Sequence, residues 1–450
     1  MTARSLIVLA RAWSKTKRRR PSGGRTGKRR RAEHAGQQKP LIDSSPFGFR
    51  AGANQPHKPI QKMNPRTIIM LAEHGNAEAQ YALGLSYYIG EGVPQSDRQA
   101  VKWYRKAAEQ GYADAQFSLA IAYDTGWGSV EQDHGKAVEW YRKAAEQGHA
   151  KAQYNLAIAY NIGQGVEQDH GKAVEWYRKA TEQGNARAQY ALGLAYDTGE
   201  GVPQNYRQAV KWWRKAAVQG YARAQYALGI AYDAGEGVEQ DHGQAAKWYR
   251  KAAEQGDAEG QYNLGVAYDT GKGAPQNYRQ AVKWWRKAAE QGYAAAQYNL
   301  GNAYDNGEGV PQNCRQAVHW WRDAAEQGHA KAQFNLANAY YAGEGVEQDH
   351  GKAVEWWMKA TEQGLAEAQF NLGNAYDNGR GVEQDYGKAV EWWTKAAEQG
   401  LAEAQSNLAI AYDTGEGVEQ DREKAVEWRT KATEQELAKI QNMLGNKNPT

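Results

Sequence analysis

Four histidines, His134, His170, His242 and His350, share one local context, Gln-Asp-His-Gly, which makes them the first candidates for a metal site. Zinc needs its donor atoms about 2 Å from one centre. No cysteine or second histidine lies close in sequence to any of the four, and they are at least 36 residues apart. Packed helices stand about 8–10 Å from one another, too far for such residues to converge. The pattern predicts solvated loop histidines and no metal. Cys314 is the single cysteine, with His319 five residues on. A nucleophilic thiol needs a base within hydrogen-bond reach and a third group to orient that base. An offset of five does not put the two on one helical face, and no orienting group accompanies them. The segment Asp-Thr-Gly-Glu-Gly-Val at 197–202, repeated at 413–418, lacks the alternating oxygens and bidentate Glu of a calcium loop. Its Gly-x-Gly follows a helical pattern and lacks the third Gly and the Lys of a phosphate loop. No cofactor, metal or small-molecule substrate is expected, and the chain is expected not to be an enzyme.

These residues sit in a strict internal period. The segment beginning Gly75-Asn76-Ala77-Glu78-Ala79-Gln80-Tyr81 recurs with its Gly at 111, 148, 184, 220, 256, 292, 328, 364 and 400. The ten copies are 36 residues apart, except for one spacing of 37 where the loop reads Trp127-Gly128-Ser129-Val130. Counting from that Gly, helix A is expected over about positions 3–14. At 100° per residue its positions 5, 9, 12 and 13 (Ala79, Leu83, Ser86 and Tyr87 in the first copy) fall on one buried arc. Position 10 is always Gly or Ala, which allows close helix contact. The Gly-Glu-Gly-Val element then stops the helix. Helix B is expected from about position 24, with Ala at 26, aromatics at 29 and 30, and Ala at 33 and usually 34, ending at Glu-Gln before the next Gly. One hairpin of this size cannot bury its apolar face, so copies must stack to share a core. Trp stands at position 29 in every copy, from Trp103 to Trp428, and is expected to fill the gap between neighbouring hairpins.

The ends differ from the middle. Asn64-Pro65 reads as an N-cap with Pro at the first helical position, opening a lone helix. The tenth copy has Arg429 and Ser406 where others carry aromatics, and Leu437–Gly445 reads as a partial helix A. The expected organisation is a basic extension over 1–62, a capping helix over 63–74, ten copies over 75–435, and a capping half-repeat with its tail over 436–450.

Charge separates the first part from the rest. Residues 1–63 hold 16 Lys and Arg against Glu33 and Asp43, a net +14, and the other residues hold 40 basic and 50 acidic, a net −10. A net acidic body is no nucleic-acid platform on charge grounds, so nucleic acid or an acidic membrane could be met only through residues 1–62. High charge with low hydrophobicity predicts disorder there. Met63 stands just before the capping helix, and initiation there would still give all ten copies. The single cysteine excludes an internal disulfide. No apolar run approaches a membrane span. Leu6–Ala10 stops at Arg11 and is short for a secretory signal, which favours a cytoplasmic location.

Three blocks, Ala-x-Ala-Gln-Tyr-x-Leu-Gly, Tyr-x-x-Gly-x-Gly-Val and Ala-Val-x-Trp-x-x-Lys-Ala-Ala, run with few departures across residues 75–435 and resemble the Sel1-like repeat, a relative of the tetratricopeptide repeat. The resemblance implies an all-α, right-handed α/α superhelical solenoid whose members act as adaptors and assembly scaffolds. In bacteria such proteins are often linked to signalling, envelope functions or host contact. Some have been described as penicillin-binding or β-lactamase-like, but those are rich in regularly spaced cysteines. This chain departs from that pattern, and a hydrolase is the alternative reading.

The expected partner is a protein or an extended peptide, bound by a monomer. Positions 8, 11 and 15 of helix A lie within about 60° of each other, beside the buried arc. The resemblance places this stripe in the concave groove. In early copies it is apolar or small, with Leu85, Ile121, Leu194 and Ile230 at position 11. In copies seven to nine it becomes amide: Asn299, Asn302 and Asn306, then Asn335 and Asn338, then Asn371, Asn374 and Asn378. An amide both donates and accepts, so a row of them could read a peptide backbone without selecting a side chain. The competing expectation is that Asn is merely tolerated on a solvated face.

Overall fold

The computed structural model of the chain describes residues 64–445. The expectations for residues 1–62 and for the last residues of the tail lie outside the described residues. By its internal contacts the chain divides into one compact unit ending at Gln240 and another beginning at Asp241. The first holds α1 (Pro65–Glu73), α2 (Ala77–Ile89), α3 (Asp97–Glu109), α4 (Ala113–Thr125), α5 (His134–Glu146), α6 (Ala150–Ile162), α7 (His170–Glu182), α8 (Ala186–Thr198), α9 (Tyr206–Val218) and α10 (Ala222–Ala234). The second holds α11 (His242–Glu254), α12 (Ala258–Thr270), α13 (Tyr278–Glu290), α14 (Ala294–Asn306), α15 (Cys314–Glu326), α16 (Ala330–Ala342), α17 (His350–Glu362), α18 (Ala366–Asn378), α19 (Tyr386–Glu398), α20 (Ala402–Thr414) and α21 (Arg422–Gly445). Even numbers are helix A and odd numbers from α3 are helix B. There is no strand among the described residues, and each unit is an α/α solenoid of consecutive repeats. No helix among the described residues is long and apolar enough to cross a membrane.

Helix B begins one residue earlier than the periodicity suggests, for a local reason. Position 22 is Asp, Asn or Ser in every copy and caps the helix. Asp133 Oδ1 accepts from the Lys136 N–H at 2.9 Å, and Asn205 Oδ1 from Gln208 at 3.1 Å. The four histidines are therefore first-turn residues of helix B, not loop residues as expected. The turn of each copy uses its second loop glycine in the left-handed region, as at Gly201 with φ 72°. A Cβ there would overlap the carbonyl of His170, so this turn rests directly on the start of the preceding helix B. Arg105 Nη2 donates to Tyr123 Oη at 3.1 Å, a bond between adjacent copies that recurs as Arg142 to Tyr160.

Leu at position 9 is buried in every copy, with Leu119, Leu228 and Leu336 wholly inaccessible. Truncating one such Leu to Ala costs about 2–5 kcal/mol in a packed core. The expected assignment of the wedge to position 29 needs correction. The buried ring is position 30: Tyr104 is inaccessible and Trp213 is 2% exposed, whereas the position 29 tryptophans other than Trp284 are half-buried. The two positions differ by 100° around the helix, and only position 30 faces position 10 across the hairpin. A Cβ on Gly193 would overlap the Trp213 ring, which is why that site must stay small. The ring at 29 instead lies beneath the Lys at 32, with Lys143 Nζ 4.0 Å from the Trp140 centroid.

The last helix also departs from expectation. Glu436 stands where other copies carry the helix-breaking Gly, and α21 runs unbroken through Leu437 to Gly445. The partial helix A expected there is the end of helix B.

Candidate partner-binding surface

Helix A carries the stripe, and its positions are less open than a solvated face. In the first unit Leu85, Leu194 and Ile230 are half-buried and Ile121 is buried. In the second, Asn299 is buried at 8% exposure. Asn302, Asn335, Asn338, Asn371 and Asn374 are half-buried, while Asn306 and Asn378 are exposed. Burial of amides calls for partners, because an unpaired polar group removed from water costs about 1–3 kcal/mol.

The partners come from within the array. Asn302 Oδ1 accepts from Trp321 Nε1 and from Asn335 Nδ2, each at 3.0 Å. Asn338 Oδ1 accepts in the same way from Trp357 Nε1 and Asn371 Nδ2, both at 3.0 Å. Asn374 Oδ1 accepts from Trp393 Nε1 at 3.0 Å and Asn407 Nδ2 at 3.1 Å. Position 11 thus satisfies the buried indole of its own helix B and holds position 8 of the next copy. The structure brings these amides together as a ladder, with both lone pairs of each position 11 oxygen used. The Nδ2 groups at position 11 and the Oδ1 groups of Asn335 and Asn371 take no part in the ladder. Asn378 Nδ2 turns back to the Asn374 carbonyl at 2.7 Å.

A second amide pair, at positions 6 and 36, escaped the sequence reading. Gln116 is 4% exposed. Its Nε2 donates to the Ala108 carbonyl of the preceding copy at 3.2 Å, and its Oε1 accepts from Gln147 Nε2 at 2.7 Å. Gln297 repeats this with Ala289 at 3.2 Å and Gln327 at 2.7 Å. The available signal was that Gln occupies both positions in all ten copies, although neither lies on the apolar arc.

The residues weighed for chemistry are placed separately. His134 Nδ1 lies 2.8 Å from Asp124 Oδ1, His170 Nδ1 lies 3.0 Å from Asn161 Oδ1, and the His350 ring lies 4.8 Å from the Tyr341 ring, tilted by 50°. Each of these three is met by position 14 of its own copy. No group of three or more His, Cys, Asp or Glu among the described residues could hold a metal ion. Cys314 opens α15 and is half-buried. Burial raises its thiol above the usual range, and the carboxylates of Asp305 and Glu344 raise it further. A protonated thiol is a poor nucleophile. His319 Nδ1 points to Asp323 Oδ1 at 3.8 Å, with its ring 5.0 Å from Trp320. His329 accepts the Ala332 N–H on Nδ1 at 3.2 Å and stacks on Tyr298 at 4.7 Å. Burial, helped by Lys331, lowers its pKa to about 4.

Comparison with known proteins gives one pattern throughout the array. A family model described as Sel1 repeat matches ten consecutive segments, from 77–112 through 402–437. The crystal structure of a protective antigen present in uropathogenic Escherichia coli strains, displaying an SLR fold, is 37% identical, with a TM-score of 0.60, covering 86% of this chain and 91% of that one. A Sel1 repeat protein from Oxalobacter formigenes is 34% identical, with a TM-score of 0.54, covering 69% of this chain and 89% of that one. No curated protein gives a significant match.

Proposed function

The chain belongs to the Sel1 repeat family, whose members are generally protein-interaction scaffolds, and from that premise we propose that it is a non-enzymatic adaptor holding a partner protein or extended peptide along its helix A face. One observation carries the reading. The same face recurs copy after copy, half-buried and lined first by apolar groups and then by amides fixed in orientation by the ladder. Fixed donors and acceptors lower the ordering cost that a partner must meet. The chemistry points the same way: the Cys314 thiol is held protonated, and His319 is engaged with Asp323.

The test is capture of partners from a lysate of the source cells by the full chain and by a variant carrying Leu194→Lys, Ile230→Lys, Asn306→Lys and Asn378→Lys. Helix content by circular dichroism should be unchanged. Loss of the captured proteins in the variant supports the helix A face. Equal capture would remove that face as the site, and no specific capture by the full chain would remove the adaptor reading.

A further inference from the structure

One helix of the first unit differs in kind from its counterparts. α9 (Tyr206–Val218) contains four cations, Arg207, Lys211, Arg214 and Lys215, and no acid. Position 35 is Glu in the nine other copies, but here it is Val218, which is 73% exposed. The substitution removes the one carboxylate that would offset the cations and leaves an apolar group in water. Arg207, Lys211, Arg214, Lys215 and Val218 line an open groove of about 670 Å³, closed on one side by the Gly237–Val238 turn of the next copy. Arg214 donates to Tyr232 Oη at 2.9 Å, and Lys215 Nζ sits 4.2 Å from the Trp212 centroid. Among the described residues none of these four cations has a carboxylate partner; Glu236 and Glu239 flank the turn but do not line the groove.

We infer that this groove is a docking site for an acidic peptide segment carrying one apolar residue at its end. The inference rests on the adaptor reading and adds a second, chemically distinct surface to it. Positions 24, 28, 31 and 35 follow one helical face, and eleven residues at 1.5 Å each place Val218 about 17 Å from Arg207. That distance matches about five residues of extended chain. Carboxylates of the segment pair with the guanidinium and ammonium groups, and its apolar end covers Val218. Charge complementarity decides against nucleic acid as the occupant. Residues 64–450 are net −10 as a whole, which a long polyanion would meet once it extended beyond the groove, whereas a short acidic segment meets only the four cations.

The probe is a fluorescein-labelled peptide, Leu-Glu-Glu-Gly-Glu-Glu, with the glutamates replaced by glutamine in its control. Its anisotropy is read against the full chain. The basic first 63 residues are present in every variant, so only differences between variants count. Val218→Glu, which installs the residue of the other nine copies, should weaken binding about tenfold, as should Arg207→Gln/Lys211→Gln/Lys215→Gln. The equivalent Arg279→Gln/Lys283→Gln/Lys287→Gln in the sixth copy, where Glu290 is present, should change it by less than about twofold. Equal loss from both triples would show diffuse charge attraction and overturn the site. So would an unchanged Val218→Glu, or a glutamine control that binds as well as the probe. Tighter binding of a single-stranded RNA oligonucleotide, lost in the same variants, would make nucleic acid the occupant and overturn the inference; self-association lost in Val218→Glu would do the same in favour of a second copy. If the full chain captures partners in the preceding test while Val218→Glu leaves probe binding unchanged, this site falls and the adaptor reading stands. If the full chain captures none, the adaptor reading falls whatever the probe does.

Discussion

Asn338→Leu tests whether the amide ladder is a structural device. Leu occupies the same position in the first and fourth copies, as Leu85 and Leu194, so the helix accepts it. Asn338 Oδ1 accepts two hydrogen bonds, from Trp357 Nε1 and Asn371 Nδ2, at 3.0 Å each. Trp357 is only 3% exposed, so its N–H cannot turn to water, and stranding it costs about 1–3 kcal/mol. Asn371 is half-buried and can rehydrate at little cost. The extra apolar area of Leu offsets about 0.5–1 kcal/mol. The net expectation is a loss of about 1–2 kcal/mol, confined to the eighth copy and its neighbours. Repeat arrays do not unfold as one two-state unit, so the measurement is the local opening free energy of α16 and α17 by hydrogen exchange. A cycle with Trp357→Phe isolates the bond: with the donor gone, Asn338→Leu should cost almost nothing, giving a coupling of about 1–2 kcal/mol. The mirror experiment is in the sixth copy, where Trp285 Nε1 is buried without a partner and position 11 is Val266. Val266→Asn should protect α12 and α13 by about 1 kcal/mol. A coupling below about 0.3 kcal/mol, or added stability from Asn338→Leu, would refute the ladder as an energetic element.

Two further outcomes follow from the turns and from an N-cap. Gly201→Ala should destabilise the joint between the third and fourth copies by more than about 2 kcal/mol, because its Cβ meets the His170 carbonyl; Gly184→Ala, also at positive φ but with open space around it, should cost only about 1–2 kcal/mol. Comparable protection loss at both sites by hydrogen exchange would deny the close approach. His329 has a folded pKa near 4 against an ordinary 6.5, so the unfolded chain binds the extra proton. Its contribution is complete above about pH 6.5 and falls as pH drops toward 4, a loss of about 2 kcal/mol by pH 5. His329→Asn keeps a capping acceptor, as Asn185 does in its own copy, and should flatten that pH dependence in α16; an unchanged slope would exclude His329 as its source.

The repeat period, the hairpin and its glycine stops were legible because each is a local choice repeated ten times, and together they fixed the all-α solenoid. Which aromatic of the pair at 29 and 30 turns inward was not. Both types suit a core, and only the small residue at position 10, on the other helix, decides between them. Gln-Asp-His has no apolar period and so looks like loop, yet its Asp caps helix B and His is the first helical residue. For the candidate surface, the change from apolar to amide residues was visible, and so was Trp at position 30 wherever Asn stands at 11. Their union needed the register between copies. Periodicity within one helix cannot supply that register, because Asn335 and Asn302 are 33 residues apart.

The paired glutamines bear on how such an array changes length. Where Ala stands at position 34 of the hairpin before, as at Ala108 and Ala289, the Gln at position 6 grips its carbonyl and a Gln of its own hairpin, with the same geometry at Gln116 as at Gln297. Both grips recur where the preceding hairpin carries that Ala, as at Gln153 and Gln333. Excision or duplication of one whole period within a unit would therefore set an identical amide against an identical carbonyl and leave no orphan at the seam. The reach of the scaffold can be altered a step at a time while the joint stays the same, and a partner of different size can be met by arithmetic on hairpins without a new interface.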